Sequence, residues 1–445
     1  MSSPLLTSLA AQDVDAGNTA WLLAAAALVM LMAPGLALFY GGMVRSKSVL
    51  NMIMMVFGAL AVVSVVWVLV GYSIAFGDDV VGGLFGDPFQ YPAFQDMVDG
   101  VTATGVPLPL FAIFQGLFAV VTCGLVAGAI ADRTRFGAWL VFAALWTVLV
   151  YSPVAHWIFD FDGEGHVGGW MANQLGVLDF AGGTAVEITS GASGLAVALV
   201  LGKRIGFGRD PMKPHNLTLV MLGAGLLWFG WFGFNAGSQL AADGRAAIVF
   251  VNTLVAGCTG CLAWLLVERV RDGHATSFGA ASGVVAGLVA ITPACGFVTP
   301  LGAMVVGLVA GTLCAVAIGW KYRFGYDDSL DVVGVHLVGG LVGTLLIGLL
   351  ASTSIYGDGA DGLLYGGGLD QLGKQAVACL ATFAYAFVVS GLIAYVLERT
   401  MGFRVEEDHE VTGVDLVIHA ESAYDLHAAT GGARPHLGGG GGSVH

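Results

Sequence analysis

Charged side chains are scarce in this sequence of 445 residues, of which only 11% are Asp, Glu, Lys or Arg. A soluble protein usually has about 25% charged residues. Apolar runs of roughly 20 residues, each long enough to cross the ~30 Å apolar core of a bilayer, recur along most of the chain. These runs lack the two-residue alternation of membrane barrel strands. We therefore expect an all-α polytopic membrane protein.

Catalytic and cofactor-binding motifs are also missing. The sequence has no Walker-type Gly-x4-Gly-Lys-Ser/Thr, no HExxH and no Ser-His-Asp ordering. All six cysteines fall in apolar runs, and the Cys258/Cys261 pair has CxxC spacing without a nearby His or further Cys, which favours packing. We expect no enzyme activity, no cofactor, no metal and no nucleic-acid partner.

Basic residues are absent from the first 18 positions, whereas a secretory signal needs a basic start. Residues 1–18 are therefore interpreted as an extracytoplasmic N-terminus. Residues 19–398 are expected to form a single membrane domain, and 399–445 a cytoplasmic tail whose glycine-rich end, 431–445, is expected to be disordered.

Eleven apolar segments are predicted to be membrane helices. All but two of the 17 Lys and Arg residues, Arg245 and Lys374, then fall on one side, which places the N-terminus outside and the C-terminus inside. The net charge is −14, and the acidic outer loops either concentrate cations or simply keep those loops soluble. The predicted spans are about 19–42, 49–76, 108–131, 136–158, 182–202, 215–239, 246–267, 276–293, 299–320, 332–352 and 372–398.

A weak internal repeat is visible. Similar glycine-rich sequences close the first span at 35–42 and the sixth at 230–237, and Asp179 precedes the fifth span much as Asp331 opens the tenth. Five-span repeats, about 19–202 and 215–352, would be inverted relative to each other, with a substrate pathway at their interface and 372–398 as a final helix. Chance similarity between glycine-rich apolar segments is the alternative.

Two ionisable residues, Glu187 and His336, lie inside corresponding spans of the proposed repeats. A buried charge is unfavourable in a membrane, so each indicates a function. Together they could share a proton, hold a cation or line a polar passage; the alternative is a structural pair without traffic past it. Asp179 either caps the fifth helix or shapes a cation site.

Several aromatic side chains lie in three spans, where they either pack in the core or converge as a cation–π cage. They are Phe114, Phe118, Trp146, Trp231 and Phe234.

The longest motifs resemble those of the ammonium transporter (Amt/Mep/Rh) family, and the similarity extends from about residue 19 to 424. The motifs are DFAGGT at 179–184, GKRIGFG at 202–208, KPHN at 213–216, GWFGFNAGS at 230–238, TPACG at 292–296 and DVVGVH at 331–336. The resemblance implies eleven spans, an inner (plasma) membrane location and a homotrimer with one pore per protomer.

The resemblance also implies roles for individual residues. Trp146 and Ser238 match the outer recruitment site for ammonium, and Phe118 and Phe234 match the aromatic gate below it. Further matches are Asp179 to the acidic residue that supports the site and His336 to the second of two pore histidines.

The departure from the family pattern is Glu187, which stands where bacterial members usually have the first pore histidine. A carboxylate adds a titratable charge to the pore, which bears on ion selectivity and on the proton route. The tail sequences at 402–405, 413–415 and 419–424 resemble the family's cytoplasmic segment, which in bacterial relatives receives a PII-type regulatory protein.

The expected function is ammonium uptake: capture of the cation, passage of the gate, deprotonation, and movement of ammonia past Glu187 and His336. The proton would follow a separate relay. Two alternatives are an ammonium sensor with little flux and a neutral channel for ammonia or carbon dioxide.

Overall fold

A computed structural model describes residues 13–357 and 360–424. The predicted disordered end, 431–445, lies outside the described residues, as does most of the predicted N-terminal segment. Within the described residues, each predicted span contains one helix. The helices are α1 Ala16–Met43, α2 Val49–Phe76, α3 Leu108–Ala129, α4 Phe136–Phe159, α5 Gly183–Leu201, α6 Leu217–Gly237, α7 Gly244–Arg271, α8 Ser277–Ile291, α9 Pro300–Phe324, α10 Val333–Leu350 and α11 Asp370–Thr400.

In the part of the chain that the structure describes, ten of these helices are long and apolar enough to cross a membrane. The exception is α8, whose 15 residues extend only about 22 Å at 1.5 Å per residue. From Gly279 onward α8 is almost entirely buried, and a buried turn at 292–298 continues its path. Because its neighbours rather than lipid surround it, α8 does not need to match the bilayer thickness.

The outer surface of the bundle is apolar. Exposed side chains on α7, α9 and α11 include Leu262, Leu308 and Leu380. A protein in water would bury such a belt, whereas lipid tails are as apolar as these side chains. The chain is therefore a multi-pass membrane protein.

Helices α1 and α6 pack closely and run antiparallel. Gly42 near the end of α1 contacts Asn216 and Val220 at the start of α6, whereas Ala25 contacts Gly233 and Gly237 at its end. Glycine at these positions allows the two backbones to approach, as is common in membrane bundles. The glycine-rich sequences that predicted the repeat therefore lie on two helices that contact each other directly.

The described part of the tail folds back against the ends of helices in the bundle, including the start of α2. A short helix, α12 Glu407–Thr412, carries the buried Glu410, which pairs with Arg404 at 3.0 Å. Beyond it, Asp415 accepts hydrogen bonds from the backbone N–H groups of Leu50 and Asn51, at 3.0 and 2.7 Å. The tail therefore caps the first turn of α2, whose orphan N–H groups need acceptors.

Candidate functional site

Two similar turns begin α5 and α10. The carboxylate of Asp179 accepts hydrogen bonds from the backbone N–H groups of 182, 183 and 184 and from the hydroxyl of Thr184, at 2.6–2.8 Å. The carboxylate of Asp328 accepts from the backbone N–H groups of Val332 and Val333, at 3.1 and 2.7 Å. Each turn leads into a π-helical stretch, Gly183–Ile188 or Val333–Leu337.

This geometry corrects one pairing in the predicted repeat. The sequence comparison matched Asp179 with Asp331, but the residue that caps α10 in the same way is Asp328. Asp179 acts as the helix cap, the structural one of its two predicted roles. Its hydrogen bonds all come from the start of its own helix.

Glu187 and His336 meet where α5 and α10 cross. His336 Nδ1 lies 2.7 Å from Glu187 Oε2, and both side chains are buried. The two helices cross closely, as the space around their glycines shows. A Cβ added to Gly191 would lie only 2.5 Å from Leu337, and a Cβ added to Gly340 only 2.7 Å from Glu187. The sequence predicted this contact, and the structure forms it.

The crossing has an approximate two-fold symmetry. The 149 residues that separate Glu187 from His336 also separate Asp179 from Asp328 and Gly191 from Gly340. Gly191 contacts Leu337 while Gly340 contacts Ile188, so the contacts are reciprocal and the helices antiparallel. This arrangement supports an inverted repeat whose axis passes between the two ionisable side chains.

A small enclosed cavity adjoins the pair. The volume available to the centre of a water-sized sphere is about 10 Å³. This is enough room for about one water or ammonia molecule. Glu187 Oε1 is buried and has no hydrogen-bond partner, although its residue borders this cavity. The remaining wall is apolar and includes Met32, Leu36, Phe39, Leu227 and Val285.

Stacked aromatic rings close one end of this cavity. The rings of Phe118 and Phe234 are stacked, with centroids 3.9 Å apart and planes at 29°. Phe114 lies 5.0 Å from Phe118, and Trp231 lies 5.9 Å from Phe234. Trp231 and Phe234 border the cavity, so one of the two predicted gate residues lies directly against it, and the other, Phe118, is stacked on that residue.

Trp146 lies elsewhere. Its indole N–H is 3.0 Å from the hydroxyl of Ser193 on α5 and 3.1 Å from that of Ser390 on α11. Ser238 is at the end of α6, where its hydroxyl donates to the carbonyl of Phe234 at 2.8 Å. Trp146 is about halfway along α4, so the structure does not bring it to Ser238 as the resemblance implied; it binds three helices together instead.

A second small cavity also borders His336 and lies towards the end of α1 and the start of α10. Its wall includes Phe39, Tyr40, Ser282, Asp331 and His336. A larger open vestibule of about 380 Å³ follows, and it shares Met43, Leu330 and Asp331 with the second cavity. The three cavities therefore form a series, in which neighbouring cavities have walls in common.

An imidazole joins the loop that follows α2 to the loop that follows α4. His166 Nδ1 lies 2.6 Å from Asp78 and Nε2 lies 2.9 Å from Asp160. Burial alone would lower the pKa of His166, but its hydrogen bonds and charge interactions with Asp160 and Asp78 outweigh burial and raise the pKa to about 9. His166 is therefore protonated at neutral pH and forms an ion-pair bridge.

Sequence reasoning missed Asp328 as a cap and Lys321 as its neighbour. The eight-residue spacing from Asp179 to Glu187 recurs from Asp328 to His336 and is a signal that identifies Asp328. The apolar wall residues, such as Phe39, carry no comparable signal, because apolar side chains are found on every helix.

Comparison with known proteins gives the same result from three directions. The model of the Ammonium Transporter Family matches residues 20–424. An ammonium transporter of Mycobacterium bovis is 54% identical over 95% of this chain and 93% of its own length, and one of Aquifex aeolicus is 48% identical over 93% and 94%.

Solved structures show the same fold. Saccharomyces cerevisiae Mep2 superposes with a TM-score of 0.83 at 35% identity, over 89% of each chain. A structure described as a sensor Amt protein superposes with a TM-score of 0.84 at 29% identity, over 91% of this chain and 98% of its own. With these matches, and with an ionisable pair buried between two antiparallel helices, the chain belongs to the ammonium transporter family.

Proposed function

We propose that this protein takes up ammonium by capturing the cation outside, removing its proton and passing ammonia from the aromatic gate past the Glu187–His336 pair, while the proton follows by a separate relay. The observation that carries the proposal is the small cavity beside this pair, which has room for about one water-sized molecule. The relatives named ammonium transporters support the same substrate.

The size and the wall of the cavity favour ammonia over a hydrated cation. A cation that leaves its water for an apolar wall loses much hydration energy, and only a few polar atoms are present to replace it. Glu187 Oε1, which is buried without a partner, is a free acceptor for an N–H group in the cavity. Since ammonia is neutral, it can cross this space with one or two hydrogen bonds.

Ser238 is the polar group proposed for capture. Its hydroxyl hydrogen is directed to the carbonyl of Phe234, so its lone pairs can accept a hydrogen bond from ammonium. The buried ring of Phe114 lies against the neighbouring Gly237, so an aromatic side chain lies next to the proposed capture site. Trp146 is not part of this proposed site.

The resemblance extends the proposal to assembly, topology and regulation. We propose eleven spans in one transporter domain (19–398), an N-terminus outside the inner membrane and a cytoplasmic tail. We also propose a homotrimer with one pore per protomer. The docked tail and its neighbouring loops are the proposed surface for a PII-type regulatory protein.

Measurements of current in proteoliposomes test the transport proposal. Ammonium should produce an inward current that equal potassium does not, and His336→Ala should abolish it by disrupting the pore. Glu187→His should retain ammonium selectivity, whereas Glu187→Gln should reduce the current because it removes the titratable group. Equal currents with potassium would contradict deprotonation before passage, and unchanged transport in His336→Ala would remove this residue from the pore.

A sensor is the second candidate, since the matched sensor Amt protein has the same fold. Growth of a transporter-deficient host on low ammonium separates the two: uptake restores growth, whereas binding alone does not. Transport without current would instead favour the neutral gas channel.

A further inference from the structure

An ion pair lies at the inner end of the series of cavities. Lys321 Nζ is 2.6 Å from Asp331 Oδ1 and 3.0 Å from the carbonyl oxygen of Asp328. Only 7% of Lys321 is exposed to solvent. Asp331 has a left-handed backbone, with φ at 65°, a conformation that Asp tolerates better than most residues.

The position of Asp331 gives this pair its significance. Asp331 borders both the small cavity next to His336 and the open vestibule of about 380 Å³. Lys321 borders the vestibule as well. A molecule that leaves the pore therefore passes Asp331 at the point where the passage widens into the vestibule.

The chemistry of the product makes a free carboxylate unfavourable there. Ammonia that reaches bulk water at neutral pH regains a proton, and the resulting cation is attracted to any unpaired carboxylate nearby. Two opposite unit charges at 4 Å attract each other by about 4 kcal/mol at the effective dielectric constant of a protein surface. The other acid on the vestibule wall, Asp272, is already paired with Arg271 at 2.8 Å.

We propose that Lys321 is a specificity-determining residue of the inner mouth. Its positive charge pairs with the Asp331 carboxylate and so prevents the product cation from binding where the small cavity meets the vestibule. The proposal rests on the proposed ammonium transport. It predicts that removal of the lysine charge turns Asp331 into an inhibitory ammonium site facing the cytoplasm. If the pair serves only to brace the turn before α10, its loss would lower stability without creating such a site.

The test is inhibition by luminal ammonium. Ammonium current would be measured at a fixed membrane potential in oriented proteoliposomes that are preloaded with increasing ammonium, with sodium as the balancing ion. We expect Lys321→Gln to be inhibited at about tenfold lower luminal ammonium than the wild type, equal to about 1.4 kcal/mol of added affinity. Lys321→Arg, which keeps the charge, should behave like the wild type.

The double variant Lys321→Gln/Asp331→Asn decides between the two roles of the pair. It should return luminal inhibition to the wild-type range, because the carboxylate that binds the cation is gone. The proposal is overturned if Lys321→Gln leaves the inhibition curve unchanged, or if the double variant keeps the increased sensitivity.

A further variant keeps the test valid should Lys321→Gln fail to fold. Asp331→Asn alone leaves the charge of Lys321 unpaired at the junction, where it repels the product cation, so inhibition should move to higher luminal ammonium; an unchanged or opposite shift overturns the proposal. A wild-type protein that carries no ammonium current would overturn the proposed function itself, whereas normal current with no dependence on Lys321 would overturn only this inference.

Discussion

The turns that begin α5 and α10 have the same backbone construction but different charged surroundings. At the outer turn, Asp179 accepts four hydrogen bonds, all from neutral donors. At the turn before α10, the Asp328 carboxylate accepts hydrogen bonds from two backbone N–H groups. The positively charged Nζ of Lys321 donates a further hydrogen bond to the backbone carbonyl oxygen of Asp328. The two turns therefore share the scaffold that holds the ionisable pair, whereas the charged groups around them differ.

The largest expected effect comes from disturbing the pair at the centre of this symmetry. In His336→Glu, two carboxylates would face each other across the crossing, and like charges in contact cost several kcal/mol, so ammonium transport should fall by about 100-fold or more. Exchange of the two residues, Glu187→His with His336→Glu, should restore transport to within about tenfold of the wild type, because the two positions are nearly equivalent. Both would be measured as ammonium current in proteoliposomes.

The exchange is informative because each single variant controls for the double variant. A double variant as inactive as His336→Glu, although folded in detergent, would show that the two positions are not interchangeable despite their symmetric contacts.

Removal of the two caps compares the turns directly. Asp179→Ala leaves three buried backbone donors without their acceptor and Asp328→Ala leaves two, at about 1–3 kcal/mol for each unsatisfied donor. We therefore expect both variants to be less stable, and Asp179→Ala more so. Thermal unfolding in detergent, followed by size-exclusion chromatography, measures the difference in stability. Equal losses of stability would indicate that Lys321 and Asp331 stabilise the turn before α10 as much as the additional backbone hydrogen bond stabilises the turn before α5.

The two sides of the membrane should also differ in their response to pH. The bridge formed by His166 depends on its protonation, since its pKa in the folded protein is raised from the ordinary 6.5 to about 9 by Asp160 and Asp78. Because the folded pKa is raised, its stabilisation is complete below about pH 6.5, declines above it and is lost as the pH rises through 9. On the inner side, Arg204 pairs with Asp327 and Asp132 at 2.8 and 3.0 Å and stays charged throughout this range.

His166→Gln tests this difference. The wild type should lose thermal stability relative to the variant between pH 6.5 and 9, and the two should converge at the alkaline end. The same shape of pH curve in both proteins would exclude His166 as the titrating group.

The smallest expected effect separates Ser238 from Trp146. Ser238→Ala should raise the half-saturating ammonium concentration about three- to tenfold, because it removes one hydrogen bond of about 0.5–1.5 kcal/mol to the captured cation. Trp146→Phe should leave that concentration unchanged and lower the unfolding temperature, since it removes only the bonds to Ser193 and Ser390. A rise in half-saturating concentration for Trp146→Phe would restore this residue to the capture site.

The sequence was a good guide to the fold and to the ionisable pair, but not to the outer site. Apolar runs predict the helices, because lipid imposes this pattern on any membrane bundle. Glu187 and His336 stand out because charges are rare at membrane depth. Trp146 was assigned to the capture site through motif similarity alone. The indole N–H of a tryptophan on a membrane helix can donate to many acceptors, and here it donates to the hydroxyl groups of Ser193 and Ser390.

The packing of helices that are distant in sequence was the least predictable part of the structure. The ion pair of Lys321 with Asp331 joins residues near in sequence, but its location at the junction of two cavities depends on the packing of α1, α8 and α10. No local pattern encodes that arrangement.

The hydrogen bonds from Leu50 and Asn51 to Asp415 have a consequence for biosynthesis. More than 360 residues separate donor from acceptor, so α2 enters the membrane long before the ribosome has synthesised the aspartate that completes its first turn. The start of this helix must rely on water or other temporary acceptors until translation ends. A polypeptide cut short before Asp415 would keep the start of α2 without these two acceptors permanently.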